Sequence, residues 1–138
     1  MAAIEEVGTR VHPPKDVVVG KHYYANLYGI DVKRAWDKDG LRDAVIKAVE
    51  VSNITLLEVK SWKLEGVKGG VSVIAIVLES HITVHTWPNY GHATVDVYTC
   101  GEKNDPSKGL KVLLQFLNPK EHDVAYADRT QRVKVAPP

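Results

Sequence analysis

Cysteine, phenylalanine and methionine each occur only once in this sequence of 138 residues. A single cysteine excludes a disulfide within the chain, so no cross-link can stand in for a hydrophobic core. Hydrophobic residues make up 44% of the chain and charged residues 25%, which is typical of an ordinary globular protein. We therefore expect one domain with one core. The lone thiol of Cys100 is a candidate for chemistry, because histidines lie nearby in the sequence.

An excess of charge of either sign is also lacking. The 18 basic and 17 acidic residues leave a formal net charge of +1. A protein that binds nucleic acid or an anionic membrane surface usually carries a larger positive excess. The segment VKSWKL places Trp62 between lysines and could stack on bases, but the nearly neutral chain argues against this hypothesis. The sequence thus predicts no nucleic acid and no membrane as partners.

Long apolar runs are missing as well. The longest, Val73 to Leu78, is far shorter than the roughly 20 residues that cross a bilayer. The N-terminus reads MAAIEEVGTR, with two glutamates where a secretory signal carries lysines. We therefore expect a cytoplasmic protein.

The chain divides into an arm and a domain. Residues 1–19 contain HPP and show no sustained periodicity, which predicts a flexible N-terminal arm. Residues 20–138 are expected to form the single domain. Its first strand is KHYYANLYGI, and four more are predicted in NITLLEVKSW, VSVIAIVLES, HITVHTW and HATVDVYTC. The second of these four is apolar on both faces, so it is expected inside the sheet.

Two helices are predicted between these strands. The first follows from apolar residues that recur at helical spacing, namely Leu41, Ala44, Val45, Ala48 and Val49. The second lies in NDPSKGLKVLLQFL, with Asp105 as its N-cap, and EHDVAYADRT is the last strand. The order β-α-β-β-β-β-α-β predicts an α+β fold. We expect a two-layer sandwich in which two helices cover one face of a mainly antiparallel sheet.

Reactive side chains concentrate between Glu79 and Cys100. These 22 residues hold three of the six histidines and the lone cysteine. On a strand, His81, Thr83 and His85 share one face, and Ser80 points to the other. The segment therefore predicts a functional site on the sheet.

Two kinds of site follow from the residue types alone. Zinc could be held by His81, His85, His92 and Cys100, but no tight pair such as C-x-x-C supports this hypothesis. A serine hydrolase could use Ser80, a histidine base and Asp96, but no G-x-S-x-G motif surrounds the serine.

The complete string ESHITVHTWPNYGHATVDVYTCG closely resembles the self-processing segment of the prokaryotic S-adenosylmethionine decarboxylases. This family makes its own pyruvoyl cofactor from an internal serine. The Glu-Ser-His, the HTWP and the D-V-Y-T-C-G fall at the family's spacing. GKHYYANLYGID, KGGVSVIAIVLES, CGEKNDP and LNPK extend the resemblance over about residues 20–120.

The resemblance implies cleavage between Glu79 and Ser80, giving a β chain of residues 1–79 and an α chain of residues 80–138. The Ser80 hydroxyl would attack the Glu79 carbonyl, and elimination and hydrolysis would leave a pyruvoyl group at position 80. Ser72 and His85 match residues that assist this processing.

The resemblance also implies the chemistry that follows processing. The pyruvoyl group generated from Ser80 is the expected cofactor, with no metal. A small-molecule substrate would form a Schiff base with it and lose CO2. Cys100 matches the family's proton donor. A dimer of αβ pairs is implied as well, with its sites near the subunit interface.

Two departures from the family's usual pattern concern the substrate. Where members that act on S-adenosylmethionine often carry an aromatic residue, this chain has Glu65 or Gly66, and where they often carry glutamate after HTWP it has Asn89. An archaeal branch of the family decarboxylates arginine to agmatine, and we favour arginine over S-adenosylmethionine for this chain. The guanidinium would need an acidic partner, for which Glu58, Glu65 and Asp96 are candidates. An unprocessed, regulatory homologue is the remaining alternative.

Overall fold

The computed structural model describes residues 17–133 and residue 135. Residues 1–16 of the expected N-terminal arm lie outside the described residues. Close to Gly20 the chain is already tied to the domain, because the Val18 amide donates to Gln131 Oε1 and the Val19 carbonyl accepts from the Gly101 amide.

Residues 17–133 form six strands and three α-helices. The strands are β1 (Gly20–Tyr28), β2 (Leu56–Leu64), β3 (Gly70–Val77), β4 (Ser80–Trp87), β5 (His92–Cys100) and β6 (Glu121–Asp128). The helices are α1 (Val32–Ala35), α2 (Lys38–Val51) and α3 (Pro106–Leu117). A single 3-10 turn, Pro88–Tyr90, joins β4 to β5 and ends at Gly91, whose φ of 60° suits glycine.

All strands belong to one antiparallel sheet with the order β2-β3-β4-β5-β1-β6. β3 lies inside the sheet, as its apolar sequence predicted. On β4 the alternation predicted from the sequence is confirmed, because Ile82, Val84 and Thr86 are buried while His81 and His85 are only partly covered. One face of the sheet therefore belongs to the core, and the other, which the helices do not cover, carries His81, Thr83 and His85 of β4.

The two longer helices cover the core face. α2 packs against β2, β3 and β4, and α3 packs against β5 and β1. The five apolar residues that predicted α2 are its buried residues. Asp105 caps α3 as predicted, by accepting a hydrogen bond from the Ser107 amide. The two helices approach closely at Gly109, where a Cβ atom would lie 2.9 Å from the Ala48 carbonyl oxygen. The predicted α+β sandwich is confirmed.

The sequence prediction missed one element. α1 has only four residues, too few to show a helical period, and it begins where Asp31 Oδ1 accepts from the Arg34 amide. Its Ala35 carbonyl accepts a hydrogen bond from the buried Thr86 hydroxyl, which fixes α1 to the end of β4.

No helix in residues 17–133 is long and apolar enough to cross a membrane.

Candidate active site

The Glu79–Ser80 bond lies at a tight turn between β3 and β4. Val77 pairs with Ser80, so the turn consists of Leu78 and Glu79 alone. Glu79 has a φ of 65°, in the left-handed region that residues with a Cβ atom rarely occupy. Such a conformation costs roughly 1–3 kcal/mol and persists only where the surrounding structure imposes it. The peptide bond that the sequence singled out is therefore flanked by a strained residue.

Cys100 lies directly beside this bond. Its Sγ is 3.4 Å from the Glu79 carbonyl oxygen, to which the thiol donates. The Ser80 hydroxyl lies on the other side of the strand and donates to the Leu78 carbonyl at 3.4 Å. Glu79, Ser80 and Cys100 thus form one group at the start of β4, although Cys100 is 20 residues further along the chain.

Ser72 and His85 form a second group. They face each other across β3 and β4, and Ser72 Oγ lies 2.8 Å from His85 Nδ1. His85 is five positions after Ser80 on an extended strand, which places the two residues about 17 Å apart. The structure therefore pairs the two predicted processing residues with each other but does not bring them to the Glu79–Ser80 bond of the same chain.

Among the described residues, the side chains of the zinc site and of the serine-hydrolase triad considered in the sequence analysis do not come together. Among residues 17–133 and 135, no three histidine, cysteine, aspartate or glutamate side chains gather into a group that could hold a metal ion. Asp96 Oδ1 lies 2.9 Å from Nε2 of His22, whereas His85 contacts Ser72. Ser80, His85 and Asp96 consequently do not form a serine-hydrolase triad.

A cluster of side chains lies next to Cys100 on the open face of the sheet, which is the face that α2 and α3 do not cover. Tyr98 Oη is 3.8 Å from Cys100 Sγ, and the Arg129 guanidinium carbon lies 5.4 Å from the Tyr98 ring centroid. Arg129 Nη1 also lies 3.4 Å from Nδ1 of His22. Burial lowers the pKa of the neighbouring His81 below its ordinary value of 6.5, although the Asp96 charge opposes the shift.

Sequence analysis did not single out Tyr98, His22 or Arg129. Tyr98 could have been found, because it lies two residues before Cys100 on the same side of a strand. The pairing of His22 with Asp96 joins residues 74 apart in the chain, and it depends on the register of β1 against β5.

The open face also carries a cavity at its far end. The cavity has a volume of about 600 Å³ and is lined by Asn26, Tyr28, Lys68, Trp87, Tyr90 and His92. The His92 ring stacks between those of Tyr28 and Trp87, with centroid distances of 5.3 and 5.4 Å. Flat aromatic faces of this kind suit a planar cation or a base.

The two sequence departures that concern the substrate lie together beside this cavity. The Asn89 side-chain amide donates to the carbonyl oxygens of Gly66 and Val67, at 3.5 and 3.2 Å. A glutamate at position 89 has no N–H for these carbonyls when ionised. The asparagine at position 89 therefore holds the β2–β3 turn through hydrogen bonds that a glutamate could not make.

The candidate acidic residues each have a basic side chain nearby. Asp96 pairs with His22, Glu58 Oε2 lies 3.5 Å from Lys60 Nζ, and Glu65 Oε2 lies 4.0 Å from Lys63 Nζ. By register, Asp96 and Glu58 belong to the open face.

Known proteins resemble this chain over most of its length. The model of the family described as S-adenosylmethionine decarboxylase matches residues 21–130. An arginine decarboxylase proenzyme from Hyperthermus butylicus is 54% identical over 115 residues, which are 83% of this chain and 81% of that relative. An arginine decarboxylase proenzyme from Ignicoccus hospitalis is 53% identical over 116 residues, 84% of this chain and 81% of that relative.

A third relative and one solved structure extend the comparison. The arginine decarboxylase proenzyme of Aeropyrum pernix is 50% identical over 121 residues, 88% of this chain and 92% of the relative. The crystal structure of the adenosylmethionine decarboxylase from Aquifex aeolicus VF5 superposes with a TM-score of 0.73 at 32% identity, covering 83% of this chain and 92% of that one. The resemblance predicted from the sequence is confirmed, and the chain belongs to the S-adenosylmethionine decarboxylase family.

Proposed function

We propose that this protein is a self-processing, pyruvoyl-dependent decarboxylase that converts arginine to agmatine and CO2. The observation that carries the proposal is the Glu79–Ser80 bond, which follows a residue with a φ of 65° and has the Cys100 thiol 3.4 Å from its carbonyl oxygen. Three relatives that are 50–54% identical to this chain carry the name arginine decarboxylase proenzyme.

Processing begins with the Ser80 hydroxyl. Its oxygen forms a bond to the Glu79 carbonyl carbon, the C–N bond breaks, and the amide becomes an ester. Strain at Glu79 raises the free energy of the intact peptide, and the Cys100 S–H group can donate to the oxygen on which negative charge develops. Elimination then removes the proton on the Ser80 Cα and breaks the ester bond between its Cβ and oxygen, so that residues 1–79 leave as a carboxylate. Water hydrolyses the dehydroalanine left at position 80 to a pyruvoyl group and ammonia.

The residues around Ser80 fit a pyruvoyl group formed at that position. Such a group would bind the substrate amine and accept the electrons that CO2 leaves behind. Cys100 lies beside the Ser80 main chain and supplies the proton that the substrate carbon then needs.

A second copy of the chain completes the processing site. The Ser72–His85 pair lies about 17 Å from Ser80 in the same chain. If two open faces stack around a two-fold axis perpendicular to β4, the start of β4 in one chain meets the end of β4 in the other. The Ser72–His85 pair of each chain then approaches the Glu79–Ser80 bond of its partner.

The side chains of the open face support this dimer. By register the face carries large apolar residues that are 41–70% exposed in the single chain, namely Tyr24, Tyr28, Trp62, Leu64 and Ile76. Large apolar side chains exposed on one face of a sheet often mark a protein–protein interface. The same stacking would bring the cavity beside Trp87 and His92 close to the partner's Ser80, where substrate reacts.

The preference for arginine rests on the relatives and on Asn89. Position 89 is an asparagine and so offers no carboxylate for ribose hydroxyls, and its amide N–H groups donate to the Gly66 and Val67 carbonyls. The stacked rings of Tyr28, His92 and Trp87 can accept a planar guanidinium.

The test is release of labelled CO2. Purified, processed protein is incubated with carboxyl-labelled arginine or carboxyl-labelled S-adenosylmethionine, with the Ser80→Ala protein as the inactive control. We expect CO2 and agmatine from arginine and only background release from S-adenosylmethionine. Release from S-adenosylmethionine and none from arginine would reverse the substrate, and a chain that releases neither would be the regulatory homologue.

A further inference from the structure

Tyr98 lies two residues before Cys100 on the same side of β5. Its Oη is 3.8 Å from the Cys100 Sγ, and the same sulfur is 3.4 Å from the carbonyl oxygen of Glu79. A carbonyl oxygen can only accept a hydrogen bond, whereas a phenol can accept and donate. Tyr98 can therefore accept a hydrogen bond from the Cys100 thiol and can donate one to the sulfur after the thiol has lost its proton.

Neighbouring groups hold the Tyr98 ring in place. The rings of His22 and His81 tilt against it, with centroids 5.5 and 5.6 Å away. The Arg129 guanidinium lies over the ring at 5.4 Å. A ring packed in this way presents its hydroxyl at one position, so the contact with Cys100 requires little further ordering of the side chain.

We propose that Tyr98 is a positioning residue for Cys100. Tyr98 holds the Cys100 sulfur beside residue 80 and donates a hydrogen bond to the thiolate that remains after proton transfer. This inference rests on the proposed function, in which Cys100 is the proton donor. The proton moves from Sγ to the substrate carbon, and the electron pair of the S–H bond stays on sulfur. The Tyr98 O–H turns toward the sulfur and keeps its own proton, so no further reagent is needed.

The titration of Tyr98 agrees with this role. Its pKa is raised above the ordinary value of 10.0, first by the hydrogen bond with Cys100 and then by burial, while Arg129 opposes the shift. A phenol with a raised pKa still carries its proton when the neighbouring thiol ionises. The titratable and charged groups around it are Cys100 and Asp96 on β5, His81 on β4, His22 on β1 and Arg129 after β6.

The single cysteine allows a direct test. Iodoacetamide alkylates the thiolate, and in this chain the reaction reports on Cys100 alone. The full-length Ser80→Ala protein is used, because it forms no pyruvoyl group. Adding Tyr98→Phe removes the hydroxyl but keeps the ring and its packing. We expect alkylation at about pH 8 to slow about fivefold, and the pH of half-maximal rate to rise, because the thiolate loses a charge-assisted donor.

Tyr24→Phe is the matched control, since it removes a phenol hydroxyl from the same face, and it should leave the alkylation profile unchanged. In the processed enzyme, Tyr98→Phe should lower kcat for arginine about fivefold with KM unchanged and shift the pH profile of kcat. Circular dichroism verifies that each variant is folded.

The two proposals fail in different ways. Equal alkylation profiles with and without the Tyr98 hydroxyl would overturn the inference, whether or not the enzyme decarboxylates arginine. A slowed alkylation in a protein whose parent chain never cleaves would support the Tyr98–Cys100 contact and overturn the proposed function.

Discussion

His81 is a half-buried base whose burial lowers its pKa below 6.5, with the Asp96 charge opposing and the His22 charge adding to the shift. Just below pH 6.5 the unfolded chain therefore binds a proton that the folded chain does not. The free energy of unfolding should fall as the pH drops through this range. The full free energy of unfolding should be retained above the pKa that His81 has in the unfolded chain.

The measurement is urea unfolding of the uncleaved Ser80→Ala protein at about pH 5.5 and 7.5, at one protein concentration. His81→Gln should reduce the loss of stability at the lower pH, because it removes the titrating group. An equal loss in both proteins would show that other groups cause the pH dependence.

The sequence predicted some of these residues better than others. The period of two placed His81 and His85 on one face, and the spacing of five already implied that Ser80 points the other way, about 17 Å from His85. The contact of Ser72 with His85 was not predictable from the residues alone, because it depends on the β3–β4 register, which the two-residue turn sets. The positive φ of Glu79 has no local sequence signal, since glycine or asparagine is usual there.

Under the proposed function, strain in the β3–β4 turn assists cleavage of the Glu79–Ser80 bond. Glu79→Gly allows a φ of 65° without a Cβ atom and should relieve strain. In the Ser80→Ala background we expect it to raise the free energy of unfolding by about 1 kcal/mol. With Ser80 present, cleavage should slow about fivefold, because about 1 kcal/mol of strain no longer raises the free energy of the intact peptide relative to that of the transition state.

Glu79→Ala is the control for this prediction, because it removes the carboxylate but keeps the Cβ atom. Gel densitometry over time compares the rates of cleavage, and the alanine variant should cleave faster than the glycine variant. If glycine cleaved as fast as alanine, strain at position 79 would not contribute to processing.

The longer elements were predictable because they carry a period. α2 shows its buried stripe in the sequence, and α3 shows an aspartate cap followed by proline and spaced leucines. α1 is a single turn, so only its cap Asp31 marked it. The strand order places β1 between β5 and β6 and so pairs segments that are distant in the chain. Such pairing depends on the tertiary fold, and no local sequence pattern predicts it.

In the whole molecule, the distance between the Ser72–His85 pair and the Glu79–Ser80 bond of the same chain leads to a complementation experiment. Ser80→Ala chains retain Ser72 and His85, and His85→Ala chains retain the Glu79–Ser80 bond. Each variant alone should stay uncleaved or cleave very slowly. Mixed dimers, formed by coexpression with two different affinity tags, should cleave the His85→Ala chain only.

Intact mass identifies which tagged chain is cut. Coexpression of Ser80→Ala with the double variant Ser72→Ala/His85→Ala provides a further check of the same arrangement. A mixture that remains uncleaved, while the wild type cleaves, would place His85 in the site of its own chain and would contradict the face-to-face dimer.

The central claim is that the chain cuts itself at one bond and converts Ser80 into a ketone. Mass spectrometry of the intact purified protein tests it most directly. We expect two chains, residues 1–79 and a chain starting at position 80 that carries a pyruvoyl group and resists Edman degradation. A single uncleaved chain of 138 residues after prolonged incubation would contradict the account.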